Sequence, residues 1–360
     1  MTIEFIGFAS TQEYSESTGV AGGPPVDPDY LGTVSAAHEE SGFDRVLIAH
    51  SSASPDGFLI ADQVLSRTTN LKVLLAHRPG FLAPTLAARA FATLDAFHPG
   101  RVAMHVITGG DEADQRRDGD FADKPTRYAR TDDFLEVVRK EWYSETPFDH
   151  EGEFYKVEGG FSSVRPTEIP VYFGGASDDA IRVGGKHADT FMFWGETLDG
   201  IRERITQVRA AAAPYGRNTK FSVSTRPIVA ETEAEAWARA EEILEQSKER
   251  AGGPVPAFKN LDHTTQEGSK RLLDAAAQGD VHDKRLWTAV AKVTGAAGNS
   301  TALVGSYEQV ADSLLDYVDI GVSTLLIRGF DPLADAAAYG RLISLVREKA
   351  EARKTALASA

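Results

Sequence analysis

The sequence predicts an α/β protein, and most directly a closed TIM (β/α)8 barrel. Short apolar runs alternate with longer amphipathic segments along the chain, and there are eight such runs. They are rich in Val, Ile, Leu and Phe on both faces, which is typical of parallel strands covered on both sides. An open doubly wound sheet is the alternative, but eight strands in 360 residues favour the barrel.

Each strand and helix can be placed on the sequence in chain order. The predicted strands are Ile3–Phe8, Arg45–Ala49, Lys72–Ala76, Val102–Ile107, Pro170–Phe173, Thr190–Phe193, Lys220–Val229 and Ser323–Ile327. The predicted helices are 29–42, 58–68, 84–97, 129–144, 177–187, 198–214, 232–250 and 333–353.

Three stretches interrupt this alternation. Gly109–Thr126 is long and charged, and it follows the fourth strand, where a barrel places an active-site loop. Phe148–Val164 has the pattern of a small hairpin. The stretch 252–300, which lies beyond the seventh strand, starts rich in Gly and Pro and continues with predicted helices at 266–278 and 283–293. We therefore predict one domain over residues 1–360 with insertions after strands 4 and 7. Residues 252–300 form either a decoration or a lid.

Composition excludes several classes of function. The net charge of −15 argues against nucleic acid as a partner, because a polyanion needs a cationic surface. With no cysteine, the chain has no disulfide, thiolate nucleophile or Cys-ligated metal. The N-terminus lacks the pattern of a signal peptide, and no run of 18 apolar residues is present. We expect a cytoplasmic protein without a membrane partner.

Residues that directly follow barrel strands line the catalytic mouth. In this chain those positions combine glycines with several cationic side chains, on a body that is acidic overall. This contrast predicts an anionic ligand. The positions are His50 to Ser54, His77-Arg78, His105 to Gly110, Gly174 to Ser177, Trp194 to Glu196, Arg226, and Arg328 to Asp331.

The best local candidate is the segment Tyr172-Phe-Gly-Gly-Ala-Ser-Asp-Asp. An apolar strand ends, two glycines turn, and Ser177 begins a helix whose N-terminus favours a phosphate. An ordinary glycine turn with a serine cap is the alternative. His105-Val-Ile-Thr-Gly-Gly is a second, weaker candidate, and it reads equally as a strand-end turn. No metal motif, Walker sequence or Gly-x-Gly-x-x-Gly after the first strand is present, which argues against a metal site and a Rossmann cofactor site.

Four stretches of the chain match a known family. With them, the chain resembles the bacterial luciferase-like flavin monooxygenases, and within these the alkanesulfonate monooxygenase branch, over about residues 3–350. The stretches are Gly42-Phe-Asp-Arg-Val-Leu-Ile; Ala83 to Asp95 with Gly100-Arg101 and Ile107-Thr108-Gly109; Arg127-Tyr128 with Tyr172 to Ser177 and Trp194-Gly-Glu; and Thr301-Ala-Leu-Val-Gly with Gly321 and Arg328-Gly-Phe.

The resemblance implies a cofactor, a chemistry and partners. It implies FMN at the barrel mouth, used as FMNH2 that an NAD(P)H-dependent flavin reductase supplies, and reaction with O2 through a flavin C4a-peroxide in a dry pocket. It also implies a homodimer or homotetramer. By position, the residues that the resemblance implies for binding the phosphate are Gly175, Ala176 and Ser177, together with Tyr128. Those implied for contact with the flavin ring are Thr108 and His105, and Gly109 and Gly174 are adjoining cofactor-binding positions.

The residues that contact the sulfonate in that branch are mostly replaced here. Its Arg-x-His is Ser224-Thr225-Arg226, its Tyr-x-His is Phe330-Asp331-Pro332, its later Arg falls near Thr294, and its Cys is Ser54, whereas Trp194 is kept. Cations nevertheless remain, and an arginine fork suits an oxyanion. We expect a small anionic organosulfonate as substrate, with other organosulfur or polar carbon compounds open. Candidate catalytic residues are Trp194, Arg226, Arg328, Ser54 and His77.

Two questions stay open at this stage. Arg328 either contacts the substrate or forms an internal ion pair, for which Asp331 is a candidate partner. An F420-dependent oxidoreductase or a non-catalytic flavin-binding barrel also fits the resemblance. The longer acidic tail of F420 would require extra basic residues beside the glycine loop, where Arg182 and Lys186 lie. The retained Trp194 argues against a non-catalytic protein.

Overall fold

The structure, a computed structural model, describes residues 2–252, 266–296 and 298–358. Its strands are β1 Glu4–Phe8, β2 Glu13–Tyr14, β3 Ala21–Gly22, β4 Arg45–Ile48, β5 Lys72–His77, β6 Val102–Val106, β7 Phe148–Glu151, β8 Lys156–Gly160, β9 Val171–Gly174, β10 Thr190–Trp194, β11 Lys220–Ala230, β12 Val281–His282, β13 Leu286–Trp287, β14 Ala302–Ser306 and β15 Thr324–Ile327.

Eight parallel strands form the closed barrel. They follow the order β10-β9-β6-β5-β4-β1-β15-β11, and β10 pairs with β11 to complete the circle. All eight correspond to the strands predicted from the apolar runs. β14 pairs in parallel with the second half of β11, which extends the sheet to the short antiparallel strands β13 and β12.

The helices follow the predicted order with local differences. They are α1 Pro28–Glu40, α2 Gly57–Arg67, α3 Pro84–Phe97, α4 Glu112–Arg117, α5 Lys124–Tyr143, α6 Asp178–His187, α7 Leu198–Ala212, α8 Glu233–Gly252, α9 Glu267–Gln278, α10 Ala289–Thr294, α11 Tyr307–Asp319 and α12 Pro332–Ala358, with a 3-10 turn at Ala213–Tyr215.

The start of α5 shows why a predicted helix end moved. The helix begins at Lys124, five positions before the predicted 129, because the Asp123 side chain caps it by accepting from the Thr126 amide at 2.9 Å. The predicted helix at 283–293 was wrong in its first half, where the β12–β13 turn stands instead. The Gly- and Pro-rich start of the insertion, at 253–256, lies outside the described residues.

Contacts divide the chain into two compact units. Unit 1 comprises Met1–Val46, Met192–Thr206 and Lys220–Ala360, and unit 2 comprises Leu47–Phe191 and Gln207–Thr219. Within unit 1, the His38 ring fastens α1 to β1, since its Nε2 accepts from the Phe8 amide at 3.3 Å. Gly7 makes room for that ring, because a Cβ there would lie 2.1 Å from it.

In unit 2, two side chains from the stretches that carry the family resemblance hold loops in place. Asp95 accepts from the Gly100 amide at 2.9 Å and the Thr167 amide at 2.7 Å. Arg101 donates to the Leu71 carbonyl, which fixes the approach to β6. These contacts give Asp95 and Arg101 a structural role. The predicted hairpin is present as β7 and β8, which pair antiparallel.

Helix α9 of the insertion packs on the end of β10 within unit 1. Gly268 lies against the Trp194 ring, where a Cβ would stand 2.9 Å from Cζ3. Arg271 donates to Glu196 at 2.7 Å, and Leu272 is buried. In the described part of the chain, no helix combines the length and apolar character that a membrane crossing requires.

Candidate functional site

The glycine loop after β9, Gly174–Ser177, leads directly into α6 in unit 2. Ser177 is the N-cap of this helix, and its hydroxyl accepts from the Ala180 amide at 3.3 Å. The cap holds the loop at a helix N-terminus, where backbone N–H groups and the helix dipole attract an anion. This is the geometry that the sequence predicted for a phosphate.

Gly175 lies under the Tyr128 side chain. A Cβ at Gly175 would stand 2.5 Å from the Cβ of Ala180 and 3.1 Å from the Tyr128 hydroxyl oxygen. Only glycine lets the loop approach α6 this closely. Tyr128, on α5, is 4% exposed. The structure thus brings Tyr128 and the glycine loop together.

The charged side chains beside this loop are paired with each other. Arg182 lies 3.3 Å from Asp132 and 3.4 Å from Asp179. Lys186 lies 2.6 Å from Asp132 and 2.5 Å from Glu136. The two cations on α6 are therefore largely compensated, and the positive potential at the loop comes mainly from backbone amides.

His105 on β6 lies next to the loop. A Cβ at Gly174 would stand 3.2 Å from His105 Nε2. Burial lowers the pKa of His105 to about 4, so the ring is neutral at pH 7, and its buried Nδ1 has no hydrogen-bond partner among the described residues. Such an atom is satisfied when a ligand supplies the missing partner.

Thr108 and Gly109 follow β6 at the predicted flavin-ring position. Thr108 is 8% exposed. Gly109 has a φ of +82°, and its carbonyl accepts from Arg127 at 3.2 Å. A Cβ at Gly109 would stand 1.6 Å from Gln115 Nε2, so α4 packs directly against this turn.

His77 sits in an aromatic surround rather than in a polar one. Its ring centroid lies 6.3 Å from Phe58, 5.7 Å from Phe91 and 5.5 Å from Phe134. Burial, with a smaller contribution from His50, lowers the pKa of His77 to about 4. The expectation that His77 adds a positive charge was therefore wrong: the ring is neutral, and its buried Nε2 is unpartnered within the described chain.

The loops after β4 and β5 are tied to the loop after β6. Arg78 forms an ion pair with Asp114 and lies 3.6 Å from Asp118. Ser54 accepts from the Ser51 amide at 2.9 Å, and the hydroxyls of the two serines are also 2.9 Å apart. Arg78 is thus a paired cation, and Ser54 holds the turn that follows β4.

Arg226 in unit 1 is buried and fully engaged. Its Nη1 and Nη2 donate to the two carboxylate oxygens of Glu16 at 2.6 Å each, and its Nε donates to the Asn299 carbonyl at 2.6 Å. Its side chain is 2% exposed. All three nitrogens donate within the protein, which favours a positioning role over the expected substrate contact.

Arg328 shares the same carboxylate but keeps access to solvent. It forms an ion pair with Glu16, and its guanidinium carbon lies 4.7 Å from the centroid of the Phe8 ring. Its side chain is 27% exposed. Among the described residues, Glu16 is the only acceptor for the side chain of Arg328. The expected alternative of an internal ion pair is therefore present, but its partner is Glu16 and not Asp331. Asp331 instead lies 3.9 Å from Arg239.

The charges of the two arginines dominate the titration of Glu16. Burial alone would raise the pKa of this carboxyl, but Arg226 and Arg328 lower it to about 2. One carboxylate and two guanidinium groups leave the cluster with a net charge of +1, exposed at Arg328. We call Glu16, Arg226 and Arg328 the glutamate–arginine cluster.

Sequence reasoning missed Glu16 and Asn299. Asn299 donates to the Ser224 carbonyl at 2.6 Å and accepts from the Gly195 amide at 3.3 Å. It thereby fixes the turn after Trp194 beside β11. Neither residue follows a barrel strand directly, and neither belongs to a periodic pattern. Only the long-range hydrogen bonds reveal them.

One group of side chains has the spacing of a metal site, but its members are bound to other protein groups. Ligand atoms of Asp133, Glu136 and His150 lie within 4.8 Å of one another. Asp133 already accepts from His150 at 2.5 Å and from the Phe154 amide at 2.7 Å. The Lys186 ammonium donates to Glu136. Among the described residues, this cluster serves to fasten the β7–β8 hairpin to α5.

Comparison with known proteins decides the family. The sequence profile described as luciferase-like monooxygenase matches residues 3–324. The chain belongs to the luciferase-like monooxygenase family. This confirms the resemblance at the level of the family. The narrower alkanesulfonate branch remains a hypothesis.

Several solved structures share the fold of this chain at low sequence identity. Riboflavin lyase (RcaE), solved with modified FMN and riboflavin, is 19% identical, covers 97% of this chain and 92% of its own, and has a TM-score of 0.79. DmoA from Hyphomicrobium sulfonivorans is 20% identical, with coverages of 98% and 89% and a TM-score of 0.76. An F420-dependent secondary alcohol dehydrogenase is 18% identical, with coverages of 96% and 99% and a TM-score of 0.69.

Proposed function

We propose that this family member is a monooxygenase that uses FMNH2 delivered by a separate NAD(P)H-dependent flavin reductase. The observation that carries the proposal is the glycine loop, with Ser177 capping α6 and the Tyr128 hydroxyl over Gly175. That a separate protein reduces the flavin is what the resemblance to the luciferase-like flavin monooxygenases implies.

The residues present fit the FMN phosphate. The backbone of Gly175, Ala176 and Ser177 lies at the start of a ten-residue helix, and Tyr128 adds a hydroxyl. A side chain at Gly175 would collide with Ala180, so glycine is required where this loop approaches α6. When bound, reduced flavin supplies the electrons with which oxygen is activated.

The protein's own part in the reaction is to provide buried hydrogen-bonding groups in unit 2. Buried nitrogens of His50, His77, His105 and Gln115 have no hydrogen-bond partner among the described residues. Leaving such atoms unpaired is costly, so we assign them to ligand contacts. The neutral rings of His77 and His105 offer a hydrogen bond without a fixed charge, and Phe58, Phe91 and Phe134 exclude water from His77.

We propose a small organosulfonate as the substrate, and this assignment depends on one cation, Arg328. Arg328 retains nitrogens that no described residue binds, whereas Arg226 is saturated. An arginine with free N–H groups binds an oxyanion through paired hydrogen bonds. Arg226 then serves to hold Glu16, and Glu16 holds Arg328.

FMN is favoured over F420 by the charges around α6. The acidic tail of F420 requires free cations near the phosphate loop, and Arg182 and Lys186 are both engaged by Asp132. The similarity to an F420-dependent enzyme concerns the fold only. It keeps F420 as the ligand to test if FMN fails.

The proposal is tested by anaerobic titration with reduced FMN, followed by mixing with O2 and a panel of alkanesulfonates. We expect saturable binding of reduced FMN and release of sulfite that depends on O2 and the sulfonate. Binding with oxygenation of a different compound would discard the sulfonate alone. Failure to bind reduced FMN, together with binding of F420, would overturn the proposed function.

A further inference from the structure

A cavity in unit 1 has no ligand assigned to it so far. It is bounded by the β2–β3 hairpin, α1, α8 and the start of α12, and its volume is about 820 Å³. That volume suits a small organic molecule, for which pockets span roughly 300–1,000 Å³. Its polar and aromatic lining includes Glu13, Tyr14, Tyr30, Gln246 and Asp331. We call it the hairpin cavity.

The walls of the hairpin cavity are held by specific bonds. The Glu16 amide donates to the Phe330 carbonyl at 2.7 Å, and the Ser17 hydroxyl donates to Gln246 at 2.6 Å. Arg250 donates to the Glu16 carbonyl at 2.5 Å. The hairpin is thereby fixed to α8 and to the end of β15. A preformed cavity loses little conformational entropy when it binds a ligand.

The charge of the lining has one sign. No lysine, arginine or histidine is among the described residues that line the hairpin cavity. Glu13 forms no ion pair within the described chain. Asp331 has Arg239 at 3.9 Å, but that guanidinium pairs far more closely with Asp335.

The two carboxylates face an aromatic hydroxyl. Burial raises the pKa of Tyr30, and the negative charges of Glu13 and Asp331 raise it further. The Tyr30 phenol therefore stays protonated and uncharged at neutral pH. The lining of the cavity then contains two carboxylates, the aromatic rings of Tyr14 and Tyr30, and the apolar side chain of Leu333.

We propose that the hairpin cavity binds a small organic ammonium ion, as the amine end of the substrate. Carboxylates form charge-assisted hydrogen bonds with an ammonium group, and tyrosine faces attract it. The net charge of −15 favours the approach of cations to the whole surface. That the ligand is the substrate rests on the proposed function; that the cavity selects a cation does not. A sulfonate substrate would then be an aminosulfonate.

The test compares three probes with one skeleton: benzylammonium, benzyl alcohol and benzoate, titrated by calorimetry at pH 7.5 without flavin. We expect benzylammonium to bind roughly tenfold or more tightly than the alcohol, and benzoate not to bind. Glu13→Gln and Asp331→Asn should each weaken benzylammonium by about fivefold or more. Glu231→Gln, an exposed carboxylate paired with Arg341, is the matched control and should change nothing.

The outcomes separate this inference from the proposed function. Equal binding of the three probes, or loss of binding in the Glu231 control alone, would overturn the ammonium site even if reduced FMN binds normally. Selective binding of benzylammonium in a protein that fails to bind reduced FMN would keep the site and remove its assignment to a monooxygenase substrate. In an active enzyme, benzylammonium should inhibit competitively against an aminosulfonate, and noncompetitive inhibition would also remove that assignment.

Discussion

Arg226 donates two hydrogen bonds of 2.6 Å to Glu16, a residue 210 positions away along the chain. The pair fixes the β2–β3 hairpin to β11, in which Arg226 lies. Because Arg328 binds the same carboxylate, the position of one exposed cation depends on a buried pair. The cluster therefore combines a structural contact with a surface that a ligand can reach.

Removing the carboxylate should destabilise the fold strongly. Glu16→Gln leaves Arg226 buried without a counter-charge, a change that costs about 3–5 kcal/mol. Measured by urea denaturation, the double variant Glu16→Gln/Arg226→Met should recover much of that loss, because it buries no unpaired charge. Equal stability of Glu16→Gln and the wild type would contradict the buried ion pair.

Arg328 and Arg226 should respond differently to the same substitution. Arg328→Met should raise the KM for a sulfonate about tenfold or more with little change in Tm, since it removes the accessible cation. Arg226→Met should lower Tm, because it breaks the contact that holds Glu16. Arg328→Lys keeps the charge and should recover part of the KM. Equal KM values for wild type and Arg328→Met would exclude this arginine from substrate binding.

A matched pair of caps tests the phosphate site. Asp and Asn are both good N-caps, so Ser177→Asp and Ser177→Asn should preserve α6 and differ only in charge. We expect Ser177→Asp to bind reduced FMN roughly tenfold or more weakly than Ser177→Asn, because its carboxylate repels the phosphate. Anaerobic titration of both variants with reduced FMN measures the two affinities, and circular dichroism is the control for helix content. Equal affinities would place the phosphate elsewhere.

The structure also shows why Ser177 is the better position. From sequence, Gly175→Asp is expected to repel phosphate while leaving the fold intact. Any Cβ at Gly175 would stand 2.5 Å from the Ala180 Cβ, so every substitution there disturbs the loop as well. That close approach depends on tertiary packing, which a glycine in a sequence only suggests.

Much of the fold could be predicted from the sequence because it depends on local patterns. The eight apolar runs predicted all eight barrel strands, and the Gly-Gly-Ala-Ser turn predicted the loop after β9. β14 and α11 were missed, although Ser306 and Gln309 form a capping box that the sequence displays. Glu16 could not be found, since its role depends on partners more than 200 positions distant.

His77 should make stability depend on pH. Its pKa is about 4 in the fold against an ordinary 6.5, because burial disfavours the charged ring. The stabilisation is present above pH 6.5 and is lost as the pH falls through 4, since the unfolded chain takes up the proton first. His77→Phe removes this titration, so its loss of stability between pH 7.5 and 4.5 should be smaller than that of the wild type by about 2 kcal/mol.

A second substitution separates titration from packing at the same position. His77→Gln also lacks a titrating ring, but it places an amide among Phe58, Phe91 and Phe134. It should be less stable than His77→Phe at pH 7.5 and yet show the same reduced dependence on pH, as measured by chemical denaturation at both pH values. If both variants lose as much stability as the wild type on acidification, the proton uptake belongs to other groups, of which the buried His38 and His105, each with a pKa lowered to about 4, are the next to substitute.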